Sequence, residues 1–238
     1  LAAEEMMGGV GFELASRALG SAFPADPDIN VEGWPLCGAL APHASHILTR
    51  IDDVPANREA PLNFTLALNE AALFYKNARA DYAHARTMYE AALKIDEAAL
   101  GPDHPNVAIR LSNLANVLGD LGGGENLKAA RAALERALKI DEAAHGPDHP
   151  EVATRLSNLA NVLRDLGGDE NLKAARAALE RALKIDEAAH GPDHPNVGIR
   201  CGLIARMSVD IGGEGNLALA REMAHRAVEI HEKSLGIY

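Results

Sequence analysis

Apolar and small residues return along this chain at helical spacing, in paired stretches divided by glycine-rich turns. In residues 150–191, Val152, Leu156, Leu159 and Leu163 recur at steps of four, three and four, which predicts one face of a first helix. Leu172, Ala175, Leu179, Ala182 and Leu183 predict the apolar face of a second. Gly167-Gly168-Asp169 stands between them as a helix stop and restart. The run KAARAALERALKIDEAA is rich in strong helix formers, and Glu180 and Lys184 are spaced for a weak surface ion pair.

This helix pair is repeated. Residues 91–135 and 136–180 differ at six of 45 positions, namely Ala91/Arg136, Leu100/His145, Asn106/Glu151, Ile109/Thr154, Gly119/Arg164 and Gly124/Asp169. GPDHP occurs at 101, 146 and 191, and NLANVL at 113 and 158 becomes LIARMS at 203. A fixed period of this length implies units that bury their apolar faces against their neighbours, in a solenoid. Four repeats are expected, at about 58–102, 103–147, 148–192 and 193–238. The first places Asn69, Ala72 and Tyr75 on one helix and Tyr82, Ala85, Tyr89, Ala92 and Leu93 on the other, joined by the divergent turn NARAD. The fourth keeps Leu217, Ala220 and Ala227.

Small residues at Ala160, Ala175 and Ala182 would let helix backbones approach while Leu159, Leu163, Leu172 and Leu179 fill the space around them. With three extra residues allowed in the GGDEN turn, this arrangement resembles the tetratricopeptide repeat. LSNLANVL and RALKIDEAAHGPDHPEVA resemble the long repeats of kinesin light chains and their bacterial relatives, over residues 58–238. The resemblance implies an all-α fold, a right-handed superhelical solenoid of helix hairpins.

Residues 1–57 are not a repeat. A helix over 1–20, weakened by Gly8, Gly9 and Gly11, is followed by the turn-rich SAFPADPDINVEGWP. A second helix is expected from about Leu36 to Ile51, then a connector over 52–61. Ala22-Phe23-Pro24, Trp34-Pro35-Leu36-Cys37 and Leu40-Ala41-Pro42-His43 resemble the segment that follows the NB-ARC core of bacterial STAND signalling NTPases. This resemblance implies an NTPase domain in the same parent chain. Alternatively, or as well, the hairpin caps the array. With it, about ten helices are expected. The chain opens on Leu1 rather than Met, as an excised fragment would.

Composition narrows the function. Twenty-three basic against 34 acidic residues give a net charge of −11, which argues against nucleic acid and anionic membranes as partners. No apolar run reaches the roughly 18 residues that a membrane span requires, and no signal peptide is visible. Two cysteines, Cys37 and Cys201, make no disulfide framework, which fits a reducing cytoplasm.

Chemistry is sparse. His145/His149 and His190/His194 have an H-x3-H spacing, but they sit in Gly-Pro loops without cysteines, and Leu100 replaces the leading histidine one repeat earlier. Helix capping explains the motif better: Gly146 ends one helix, Asp148 or His149 caps the next, and Pro150 occupies its first turn. Neither metal nor cofactor is expected. Glu180 and Asp186 read as members of solvated faces, no nucleophile is paired with a base, and no phosphate loop is present, so no enzymatic activity is expected.

What remains is the concave groove that the family resemblance implies, lined by the first helix of each repeat. It assigns Ile109, Ser112, Asn113, Asn116, Gly119 and Asp120 to the groove in the second repeat. In the third it assigns Thr154, Ser157, Asn158, Asn161, Arg164 and Asp165. Asn69, Lys76 and Asn77 join from the first, Arg206 and Asp210 from the fourth. Asparagine amides can both donate to and accept from an extended peptide, while Lys76, Arg164 and Arg206 could pair with an acidic group. The expected partner is therefore a protein or peptide, with Asn158 and Arg164 as contacts. Two settings are implied: the sensor arm of a STAND NTPase, or a free-standing adaptor. The small-residue requirement can be checked directly. Ala160→Trp should overpack the hairpin and lower stability by about 1–3 kcal/mol, measured by urea unfolding.

Overall fold

The computed structural model describes residues 14–15, 17–24, 31–49 and 59–235. Among them all regular structure is helical. A 3-10 turn at Val31–Gly33 leads into α1 (Trp34–Leu48). It is followed by α2 (Glu59–Arg79), α3 (Tyr82–Leu100), α4 (Pro105–Leu121), α5 (Gly124–His145), α6 (Pro150–Leu166), α7 (Asp169–His190), α8 (Pro195–Ile211) and α9 (Glu214–Ser234). Of the helix expected over 1–20, residues 14–15 and 17–20 are helical, as are 21 and 22, and the rest lies outside the described residues. The second N-terminal helix starts and ends slightly earlier than its pattern suggests, with Pro35 in its first turn. Most of the connector over 52–61 lies outside the described residues, and α2 already begins at Glu59.

The chain divides into two compact units, residues 1–121 and 122–238. In the first, α1 packs on α2, α2 on α3 and α3 on α4. In the second, each of α5 to α9 packs on the next. The α6–α7 hairpin shows how the sequence builds these contacts. Ala160, Ala175 and Ala182 are fully buried, and Leu159, Leu163 and Leu179 fill the space beside them. Val152, Ala153, Leu156, Ala182 and Ile185 form one cluster, against which Leu138 and Ala178 pack.

The turn between the two helices needs its glycines. Gly167 and Gly168 have φ of 69° and 83°, a region that costs side-chain-bearing residues steric strain. The Asn171 amide donates to the Gly167 carbonyl at 2.8 Å, and Asn126 and Asn216 repeat the bond to Gly122 and Gly212. At the loop before α6, the cap is His149, not Asp148: the Glu151 backbone N–H donates to its Nδ1 at 3.2 Å. His104 and His194 cap α4 and α8 in the same way. The two rings of His145 and His149 stack at 4.7 Å, and those of His190 and His194 at 4.5 Å.

Two expectations are corrected. Glu180 pairs with Arg176, one turn before it, rather than with Lys184. More consequentially, Asp186 is not on a solvated face. It is 1% exposed and accepts from Arg200 Nε of the following first helix at 2.9 Å. The bond is repeated in each unit: Asp96 with Arg110 and Asp141 with Arg155, both at 2.8 Å. Burying a charge without a partner is costly, so a carboxylate here requires its arginine. Each end of this series lacks one partner of the pair. The position one repeat beyond Asp186 is His231. At the front, the order of buried and exposed residues over 64–74 matches that over 107–117, with Leu66 and Ile109 exposed and Ala72 and Ala115 fully buried, which places the fully buried Ala67 where Arg110 stands.

The last hairpin carries further matched changes. Cys201 stands where Leu156 stood, and Met223 where Ala178 stood, so one side chain shrinks as its neighbour grows within a shared cluster. Gly198 replaces Ala153, and a Cβ there would lie 2.9 Å from the His231 ring. The histidine that ends the charge series thus sits over a glycine that makes room for it. The paired burial makes a sharp expectation. Arg155→Met should cost about 3–5 kcal/mol, whereas Asp141→Leu with Arg155→Met should be neutral or more stable than the parent, compared by urea unfolding.

Candidate functional site

The expected groove residues come from the first helix of each repeat, and each unit presents two such helices: α2 and α4 in the first, α6 and α8 in the second. In the first unit, the Asn113 amide donates to Asn69 Oδ1 at 3.0 Å, and Arg110 Nη1 donates to the same oxygen at 2.9 Å. Asn69 in turn donates to Glu70 at 3.1 Å. Lys76 lies 3.4 Å from Asp120, bridging α2 and α4 further along. Asn116 is half-buried beside them.

In the second unit, Arg206 of α8 donates to Asn161 Oδ1 of α6 at 3.4 Å. Arg164 is turned onto its neighbour Asp165, with Nη2 at 2.8 Å. Asn158 and Asn161 are half-buried and Arg206 is exposed. All eight side chains therefore retain some access to solvent. Those that carry charge are held by a neighbour rather than projecting singly. Such exposed pairs are weak, so a ligand carboxylate or backbone carbonyl can replace the partner at small cost.

Two expected groove positions are corrected. Ser112 and Ser157 are 2% and 4% exposed, so they belong to the interior. Ser157 donates to the Ala153 carbonyl one turn back at 3.0 Å, which satisfies its hydroxyl without solvent. Ile109, by contrast, is exposed, as is Thr154, whose hydroxyl donates to the Pro150 carbonyl.

The polar residue that sequence periodicity misplaced is Asp186, and Asp96 and Asp141 are buried in the same way. The signal was present: an aspartate followed 14 residues later by an arginine at 96/110, 141/155 and 186/200. Asp141 shows what burial does to such a group. Removal from water pushes its carboxyl above the ordinary 3.8, the attraction and hydrogen bond of Arg155 pull it down, and repulsion from Glu151 pushes it up again. Glu151 is also within 3.3 Å of Arg155 and shares that cation. Burial likewise raises the thiols of Cys37 and Cys201, most of all through desolvation, which favours the protonated form.

Among the described residues, no group of three or more metal-ligating side chains converges, and no helix is long and apolar enough to cross a membrane. The Nδ1 atoms of His149 and His194 are already engaged as caps.

This geometry accompanies a clear kinship. Tetratricopeptide repeat models match residues 64–123, 124–171 and 152–196, more than half of the sequence, and the chain belongs to the tetratricopeptide repeat family. No curated protein matches it by sequence. Its fold is similar to the crystal structure of nearly identical TPR-like repeats assigned to a kinesin light chain from Podosopora anserina. That match has 16% identity over 94% of each chain and a TM-score of 0.64. It is also similar to BtubC (BKLC) from P. vanneervenii, with 19% identity, 98% of this chain and 92% of that chain covered, and a TM-score of 0.67. The fold is thus the all-α, helix-hairpin fold of tetratricopeptide solenoids, in the form shared with kinesin-light-chain-like repeats. Identities this low carry the architecture alone.

The raised Asp141 carboxyl has a definite sign in a pH series. Above pH 3.8 the unfolded chain ionises this group while the folded chain still resists, so its contribution to stability falls as pH rises through the folded pKa. Relative to Asp141→Asn, the parent protein should lose ground as pH rises from 3.8 toward neutrality in urea unfolding. A relative gain over that interval would show that Arg155 outweighs burial.

Proposed function

We propose that this chain is a protein-recognition domain that grips an extended peptide segment along the polar face of its first helices. Tetratricopeptide repeats are protein-interaction modules, and this reading places the contact on Asn69, Lys76, Asn113 and Asn116 in one unit. Asn158, Asn161, Arg164 and Arg206 serve the other. The observation that carries it is the bonding of these side chains across successive first helices, Asn113 to Asn69 and Arg206 to Asn161. Amides held in place by such bonds lose less conformational freedom on binding than free ones would, so more of each contact appears as affinity. Asparagine suits a backbone ligand because each amide offers both a donor and an acceptor.

In its setting, we propose the sensor arm of a bacterial STAND NTPase, on the strength of the Ala22–Pro24, Trp34–Cys37 and Leu40–His43 resemblance. A ligand acts there only by binding one state of the parent better than the other. Reading the parent frame upstream of Leu1 tests this. A phosphate loop within an NB-ARC core supports the sensor, and a nearby start codon without one leaves the free-standing adaptor.

The peptide reading has its own test. Peptides enriched on the parent protein from a random display library should bind Asn158→Ala/Arg164→Ala at least about tenfold more weakly, a loss of some 1.4 kcal/mol. The melting temperature should change little, because neither side chain is fully buried. Equal affinity for the two proteins would remove these residues from the site.

A further inference from the structure

The α8–α9 hairpin follows the plan of α6–α7 but is built from weaker parts. Gly198 and Gly202 stand inside α8 where α6 has Ala153 and Ser157, and Gly215 stands in the first turn of α9 where α7 has Glu170. Glycine fixed in a helix gives up more backbone freedom than any other residue, so each one favours the open chain. The His231 ring accounts for Gly198, but nothing accounts for Gly202, where a Cβ would meet no atom within 4 Å.

The interior of the hairpin is weakened as well. The buried Leu163 of α6 becomes Ser208 in α8, which is fully buried, and its Oγ finds no hydrogen-bond partner among the described residues. Ser157 satisfies its hydroxyl on the carbonyl one turn back, and Ser208 does not. The change therefore loses aliphatic burial and adds a hydroxyl stripped of water without compensation. The bonds that fasten each hairpin to the one before it do not offset this, because they are the same in both. Asp186 holds Arg200 as Asp141 holds Arg155, and Glu187 holds Arg226 as Glu142 holds Arg181. All these substitutions lie within the hairpin, so they act whatever packs on its outer side.

We infer that α8–α9 opens as one unit while α6–α7 stays folded, and that this opening gates the peptide contact of the second unit. Supersecondary segments commonly open in this way, at a lower free energy than the whole domain. Opening carries Arg206 away from Asn161 and leaves α6 with only its own half of the polar face. The gating rests on the peptide reading: a segment that bridges Asn161 and Arg206 binds the closed form alone and so holds the hairpin shut. The hairpin is then the moving element of this unit, and occupancy of the groove is recorded as its closure.

Amide hydrogen exchange read by mass spectrometry tests both parts. In the free protein, α8 and α9 should be protected at least about tenfold less than α6 and α7, with one opening free energy common to both helices. Gly202→Ala with Ser208→Ala removes one helical glycine and the orphaned hydroxyl, and should raise protection of α8 and α9 together by at least about tenfold. Equal protection of the two hairpins would overturn the inference. So would a double variant as labile as the parent, which would assign the lability to the hairpin's place in the array rather than to these residues. Display-selected peptides at about ten times their Kd should then raise protection of α8–α9 about tenfold. Arg206→Ala, at an exposed position, should remove that gain while leaving exchange of the free protein as it was. Peptides that protect α6 and leave α8–α9 as labile as before would overturn the gating. Equal peptide affinity for the parent and Asn158→Ala/Arg164→Ala would instead remove the peptide site, and the gating with it, while the opening measured without peptide would stand.

Discussion

The buried bond between an aspartate near the end of each second helix and an arginine of the next first helix constrains the rest of the architecture. Its partners come from successive hairpins, so the bond exists only when those hairpins stack in one register. Apolar contacts alone are tolerant of small slips, because Leu against Ala is acceptable in several alignments. A carboxylate is not tolerant. Removed from water, it needs its guanidinium within hydrogen-bond distance, and Asp96 has one oxygen, Oδ1, that finds no partner among the described residues. The pair is therefore a better source of specificity than of net stability.

Much of the fold was legible from periodicity, because the two helices of each hairpin bury aliphatic stripes of ordinary helical spacing. Ala160, Ala175 and Ala182 were legible for the same reason: they sit where backbones approach. Asp186 was not. Helical-face reasoning sorts residues by polarity, and a charged residue beside Glu187 and Lys184 is assigned to water by default. Its partner lies in another hairpin, and nothing local announces it. Only the recurrence of aspartate and arginine at a constant separation gives it away.

The polar surface was legible in outline. Within each unit, asparagines of the first helices take part in bonds to the neighbouring first helix, Asn69 with Asn113 and Asn161 with Arg206. The family pattern failed at Ser112 and Ser157 because a small hydroxyl can satisfy itself on the carbonyl one turn back, and so needs no solvent to be polar. The longer amide of asparagine has both a donor and an acceptor to place, and it stays at the boundary.

The placement of the ion pair also bears on how such a chain can change in length. Residues 91–135 and 136–180 are close enough in sequence for their coding segments to recombine unequally, and each exchange would add or remove one 45-residue block. A block cut anywhere in that frame removes one aspartate and one arginine together, and the remaining halves meet each other across the new junction. Ala67 and His231, which stand at the arginine and aspartate positions of the first and last hairpins, lie outside the exchanged segment and are never brought beside a lone charge. Array length is thus free to drift by whole repeats under mutation, with the cost of a stranded buried charge absent from every intermediate.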